Sequence, residues 1–260
     1  MKFLALAPLI VAVLASNAGA ASYSTGFTSA TGPEIDGYDG WVDSETTNQN
    51  LSFLVNWNGS NAAAYGGLFD VPISSTVGLT HAYGDALGIT SAAFDFTIVD
   101  SNNTFPNRDM FSFSFKSGAS NLFSIIFTPV VPNPANPAGD PNAQWNLSYQ
   151  AGAGPAVSLT QGVLEGGTYS LNLLLSPNGG STDYNLTVSG GTSENRTGTI
   201  AVNPGSVATD FGVFWTPSAG AANAGSNYFL MDNFAVVPEP SSALLGLLGA
   251  SFAFARRRRA

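Results

Sequence analysis

Between Ser22 and Val237 no apolar period near 3.6 persists for more than a few residues. Short runs of β-branched and aromatic residues recur instead, each bounded by Gly, Pro, Asn, Asp or Ser. A chain patterned this way buries its apolar side chains by pairing strands. The clearest runs are Leu51 to Trp57, Ala92 to Val99, Met110 to Phe115, Leu122 to Val131, Gln144 to Tyr149, Thr168 to Leu175, Tyr184 to Ser189, Thr197 to Val202, Ala208 to Trp215 and Tyr228 to Val236. Alternation assigns faces. Phe111, Phe113 and Phe115 share one side of a strand and Ser112, Ser114 and Lys116 the other, while Phe94, Phe96 and Ile98 repeat the pattern against Asp95 and Thr97. The expected fold is an all-β, antiparallel β-sandwich with these phenylalanines in its core.

Turn chemistry agrees. Ser176-Pro177-Asn178-Gly179-Gly180 reads as a hairpin loop, and Pro129 to Pro141 holds too many prolines for a ladder and reads as a surface loop. No other composition shift marks a boundary, so residues 21–236 form one domain. Its strand rhythm, closed by Tyr228-Phe229-Leu230-Met231-Asp232-Asn233-Phe234, resembles concanavalin A-like and laminin-G-like jelly rolls. That resemblance implies a jelly-roll-like sandwich.

Both ends differ from the body. Residues 1–20 give a cation, Lys2, an apolar run from Phe3 to Ala15 and a small-residue site ending Ala18-Gly19-Ala20. These are the parts of a secretory signal peptide, here an apolar signal helix cut after Ala20. Residues 237–260 begin Val237-Pro238-Glu239-Pro240, continue without charge from Ser241 to Ala255 and end on Arg256, Arg257, Arg258, Arg259 and Ala260. As a helix, that uncharged stretch reaches about 22 Å against a hydrocarbon core of about 30 Å. The span is short. Four arginines supply the stop-transfer force that its hydrophobicity lacks, by staying on the cytoplasmic side.

This order of Pro-Glu-Pro, Leu/Gly/Ala helix and terminal Arg cluster resembles the PEP-CTERM sorting signal. In that family exosortase, an integral-membrane cysteine transpeptidase, recognises the tail. The resemblance implies that Pro238, Glu239 and Pro240 are the recognised residues, that processing falls at or near them, and that the host is bacterial. An uncut, permanent anchor is the other reading of the same tail.

Composition excludes several function classes. The body carries three basic residues, Arg108, Lys116 and Arg196, against 16 acidic ones, a net of −13. Such a surface repels nucleic acid, whose binding needs clustered Lys and Arg. With no cysteine, there is no disulfide, thiolate nucleophile or Cys-based zinc site. His81 is the single histidine, has no motif beside it that would activate a serine, and reads as a structural or surface histidine.

Two local groupings suggest ligand chemistry. Glu34, Asp36 and Asp39, spaced by Gly37 and Gly40, offer hard oxygen ligands for Ca2+, but also read as an acidic surface turn before a core Trp41. They depart from the Glu-x-Asp-x-x-Glu pattern of laminarinase-like glycoside hydrolases, since Asp39 stands for the final Glu and glycines break the strand. No other cofactor is indicated. Trp57, Trp145 and Trp215 could stack on sugars or pack in the core. The combined expectation is a non-enzymatic exported envelope or matrix protein with a structural or adhesive role. It would be handled by the secretion machinery, held transiently in the inner membrane, processed by exosortase and left at the cell surface or in the matrix. Exopolysaccharide is a partner open to such a protein, and the alternative is a carbohydrate-active one, a glycan-binding, lectin-like module in preference to a glycoside hydrolase.

Overall fold

The computed structural model describes residues 23–30, 34–45, 51–67, 75–83, 89–100, 108–118, 120–130, 144–178, 180–190, 193–200, 208–217 and 227–238. The signal segment, residues 131–143 of the proline-rich loop and the tail beyond Pro238 lie outside the described residues. Fifteen strands follow in order: β1 (Tyr23–Thr25), β2 (Trp41–Asp43), β3 (Ser52–Trp57), β4 (Ser60–Tyr65), β5 (Val77–Ala82), β6 (Ile89–Asp100), β7 (Met110–Ser117), β8 (Ser120–Pro129), β9 (Gln144–Ala151), β10 (Val157–Leu164), β11 (Tyr169–Asn178), β12 (Ser181–Ser189), β13 (Glu194–Ile200), β14 (Asp210–Thr216) and β15 (Asn227–Pro238). A single 3-10 turn, Tyr38–Gly40, is the only helical element among the described residues.

The strands form two antiparallel sheets. The first has the order β13-β12-β11-β6-β15-β4-β3, with β1 also on β15, and the second has the order β10-β9-β8-β7-β14-β5-β2. The expected all-β sandwich is therefore the fold. Each of the ten runs read from the sequence holds a strand among its described residues, and the hairpin at Pro177 closes with Asn178 opposite Ser181. Five strands escaped the sequence reading: β1, β2, β4, β5 and β10.

Aromatic side chains join the sheets. Phe94 of the first meets Phe113 of the second at 4.4 Å, Phe96 meets Phe127 at 5.3 Å, and Phe229 meets Phe127 at 5.2 Å. Further along, Phe123 packs on Tyr184, whose hydroxyl donates to Tyr149 at 3.0 Å. Burial pushes the Tyr184 phenol up to about 12, so it stays a neutral donor.

One irregularity positions the outer surface. Between Asp232↔Asp95 and Ala235↔Ala93, β15 carries one residue more than β6. That is a β-bulge, with Asn233 in the left-handed region at φ 51°. Asn tolerates this conformation better than other L residues. The extra residue lets Phe229, Met231, Phe234 and Val236 all point inward and leaves Asn233 exposed.

Candidate functional site

The first candidate is the junction of fold and tail. β15 is an interior strand, paired along one edge with β6 and along the other with β4 and then β1. Its last residue, Pro238, is also the first residue of the Pro-Glu-Pro segment and stands opposite Ile89. Proline has no N–H to donate, so the ladder ends there. Tyr23, just past the expected signal-peptide cut, stands opposite Val236. The residues next to both expected processing points thus pair at one end of β15.

The predicted stacking platform is corrected. Trp145 and Trp215 are fully buried between the sheets, and the Trp145 Nε1 donates to the Asp109 carbonyl at 2.9 Å. Neither indole has a face for a sugar, because each occupies an inward position of its strand. Trp57, half-buried at the β3–β4 turn, is left alone and forms no platform with them.

The acidic loop is held by protein hydrogen bonds. Asp36 Oδ1 accepts the Asp43 N–H at 2.8 Å, the Gly37 N–H donates to the Trp41 carbonyl, and Glu34 pairs through its backbone with Phe53. Glu34, Asp36 and Asp39 are exposed, while Trp41 is fully buried. No group of three or more His, Asp or Glu side chains gathers as a metal site among the described residues.

His81 is a core residue. Its ring stacks on Phe211 at 5.0 Å, lies 4.3 Å from Tyr23 and meets Trp41 edge-on, and its Nε2 pairs with the Asp39 carbonyl at 2.8 Å. That bond requires Nε2–H, so Nδ1 is the bare nitrogen. Burial holds the imidazole pKa below its ordinary 6.5. The unfolded chain then takes up the proton first, and stability falls as pH drops below about 6.5. Asp43 and Glu165 shift oppositely: burial raises both, so their contribution improves as pH falls toward the carboxylate range. The wild-type melting temperature should fall between pH 7 and 5.5, and His81→Gln should flatten that slope. Equal slopes in the two proteins would remove His81 as the cause.

A site that the sequence reading missed lies on the outer face of the first sheet. Asp95, Ser170, Asn172, Thr187, Ser189 and Asn233 line an open groove of about 350 Å³. Asp95 accepts from Ser170 Oγ through one carboxylate oxygen and from Asn233 Nδ2, at 2.8 Å, through the other. Asp232, beside it and 3% exposed, is spent on structure: it accepts from the Asn233 N–H at 2.7 Å and from Ser60 Oγ at 2.6 Å. It pins the bulge.

The fold and its junction define a β-sandwich carried ahead of a sorting tail. Residues 236–259 match the PEP-CTERM protein-sorting motif, so the chain carries that motif, which indicates an exported protein sorted to the cell surface. No curated protein matches the sequence. Among solved structures the chain is similar to peanut lectin with a 9mer peptide, at 11% identity and TM-score 0.49, covering 84% of this chain and 97% of that one. It is also similar to the lectin UEA-II complexed with galactose, at 8% and 0.47, covering 85% and 99%. A third is the alginate lyase Aly36B, at 11% and 0.47, covering 83% and 96%. The two-sheet assignment rests on the strand pairing itself. No helix among the described residues is long and apolar enough to cross a membrane.

Proposed function

We propose that this chain is a non-enzymatic envelope or matrix protein, exported by the secretion machinery, arrested in the inner membrane by its tail and processed by exosortase at Pro238-Glu239-Pro240. Its sandwich then serves an adhesive role, with exopolysaccharide as partner. The observation that carries this reading is the continuity of β15 with the sorting motif, whose matched residues start at 236 inside the strand. By sequence, Pro238 and Pro240 disfavour a helix and lack the N–H groups that a ladder uses, which suits capture by a membrane-embedded enzyme. The short apolar stretch and Arg256 to Arg259 supply the arrest.

Mass spectrometry of surface material is expected to find peptides ending near Val237 and none containing Arg256. Replacing Pro238, Glu239 and Pro240 by alanine should retain the tail on the protein. Intact tails on mature wild-type protein would instead make the segment a permanent anchor.

A further inference from the structure

We infer that the groove over β12, β11, β6 and β15 binds a neutral pyranose through a pair of adjacent hydroxyls, with Asp95 and Asn233 as its central contacts. The inference names a ligand site for the adhesive reading and rests on it. Register builds the site. Ser189, Ser170, Asp95 and Asp232 stand in one row across the four strands, and Thr187, Asn172, Ala93 and Ala235 stand in the next. From Ser189 to Asp95 is two strand spacings, about 9.5 Å. Asn233 enters between the rows because the bulge adds it there. Bulges commonly re-aim a side chain beside a binding site, and this one, while it keeps the apolar residues of β15 in the core, also delivers Asn233 to the groove.

The chemistry selects the ligand. Each Asp95 oxygen accepts one protein hydrogen bond and keeps acceptor capacity, while Asn233 keeps its second amide proton and its carbonyl oxygen. A pair of vicinal hydroxyls can donate to the carboxylate and accept from the amide together. Ser170, Asn172, Thr187 and Ser189 extend the same mixed donor and acceptor surface. No cation lines the groove, and the body's net charge is −13, so uronate or sulfate groups would meet a like charge. Phe94, which borders the groove, keeps its ring in the core, so binding proceeds without aromatic stacking.

The test is affinity electrophoresis of the full-length chain in mild detergent, through native gels cast with dextran, laminarin or galactomannan, and with alginate in parallel. At least one neutral polymer should retard the protein, and alginate should not. Asp95→Asn and Asn233→Gly should each weaken the retardation about tenfold or more, the size expected for losing a hydrogen bond to a charged group. Glycine accepts φ 51°, so Asn233→Gly should melt within a few degrees of wild type. The inference is overturned if none of the neutral gels retards the protein, if alginate retards it equally, or if both variants migrate as wild type does. Tail processing is independent of the groove, so both variants should still lose the peptide containing Arg256. Failure of that processing would sink the sorting reading and leave the sugar result standing.

Discussion

Arg108→Leu is expected to destabilise the protein by about 3–5 kcal/mol, the cost of leaving a buried charge without its partner. Its Nε donates to Asp100 Oδ2 at 3.1 Å, with the two side chains 6% and 1% exposed. The guanidinium also lies 6.0 Å from the Trp145 ring centroid. Around the pair, the Asp100 N–H donates to Glu165 and Asn227 Nδ2 donates to Asp100 Oδ1. One cation thus ties β6 and β15 of the first sheet to the segment entering β7 and to β9 of the second. The body has only two other cations: Arg196 pairs with Glu194, and Lys116 sits over Phe214. Nothing else can replace Arg108.

Control variants separate lost charge from lost packing. Adding Asp100→Asn to Arg108→Leu removes the orphaned carboxylate and should recover part of the loss, whereas Arg108→Lys keeps the charge but loses the planar fork and should fall between. Urea midpoints at constant slope read each difference. Arg108→Leu should also lose less stability at pH 4 than at pH 7, since acid neutralises the stranded Asp100. A shift under about 1 kcal/mol at neutral pH would mean that solvent reaches the pair.

The phenylalanine strands were legible because period-2 alternation survives whatever partner a strand finds. Phe111, Phe113 and Phe115 could face only one core. β4 was not legible by composition, since Ala62, Ala63 and Ala64 have little β preference. A signal stood beside it: Asn58-Gly59, both at positive φ in the β3–β4 hairpin, is the favoured two-residue turn. β1 and β2, three residues each, are too short to show a period. Trp145 and Trp215 were ambiguous because an indole on a strand has the same sequence signature whether it points inward or outward. The groove was hidden for another reason. Asp95 and Asn233 lie 138 residues apart in sequence and meet only through the β6–β15 pairing. Even so, β15 carried a trace of it. The inward spacing Phe229, Met231, Phe234, Val236 breaks the alternation once, and leaving Asn233 out of the count restores it.

Phe234, the residue after that break, should give the other large effect: Phe234→Ala is expected to cost about 3–5 kcal/mol. Its ring is fully buried, with Phe211 at 4.7 Å, Phe94 at 5.6 Å, Phe113 at 5.7 Å and Trp41 at 5.9 Å. These neighbours come from β6 of the first sheet and from β7, β14 and β2 of the second, so no single element can move in to fill the hole. Trp41 and Phe211 also pack on His81, which ties the cavity to the acid-sensitive corner. Phe234→Leu keeps much of the volume and should cost less. Asn233→Gly, one residue away, should leave the urea midpoint nearly unchanged, because its side chain lies outside the core. The contrast between neighbours is the informative result. Comparable losses at 233 and 234 would mean that the bulge, and not the ring, holds β15 in place. In that case the strand leading into Pro238 would be secured by backbone geometry, and sorting variants near the motif would have to be judged against unfolding of β15 itself.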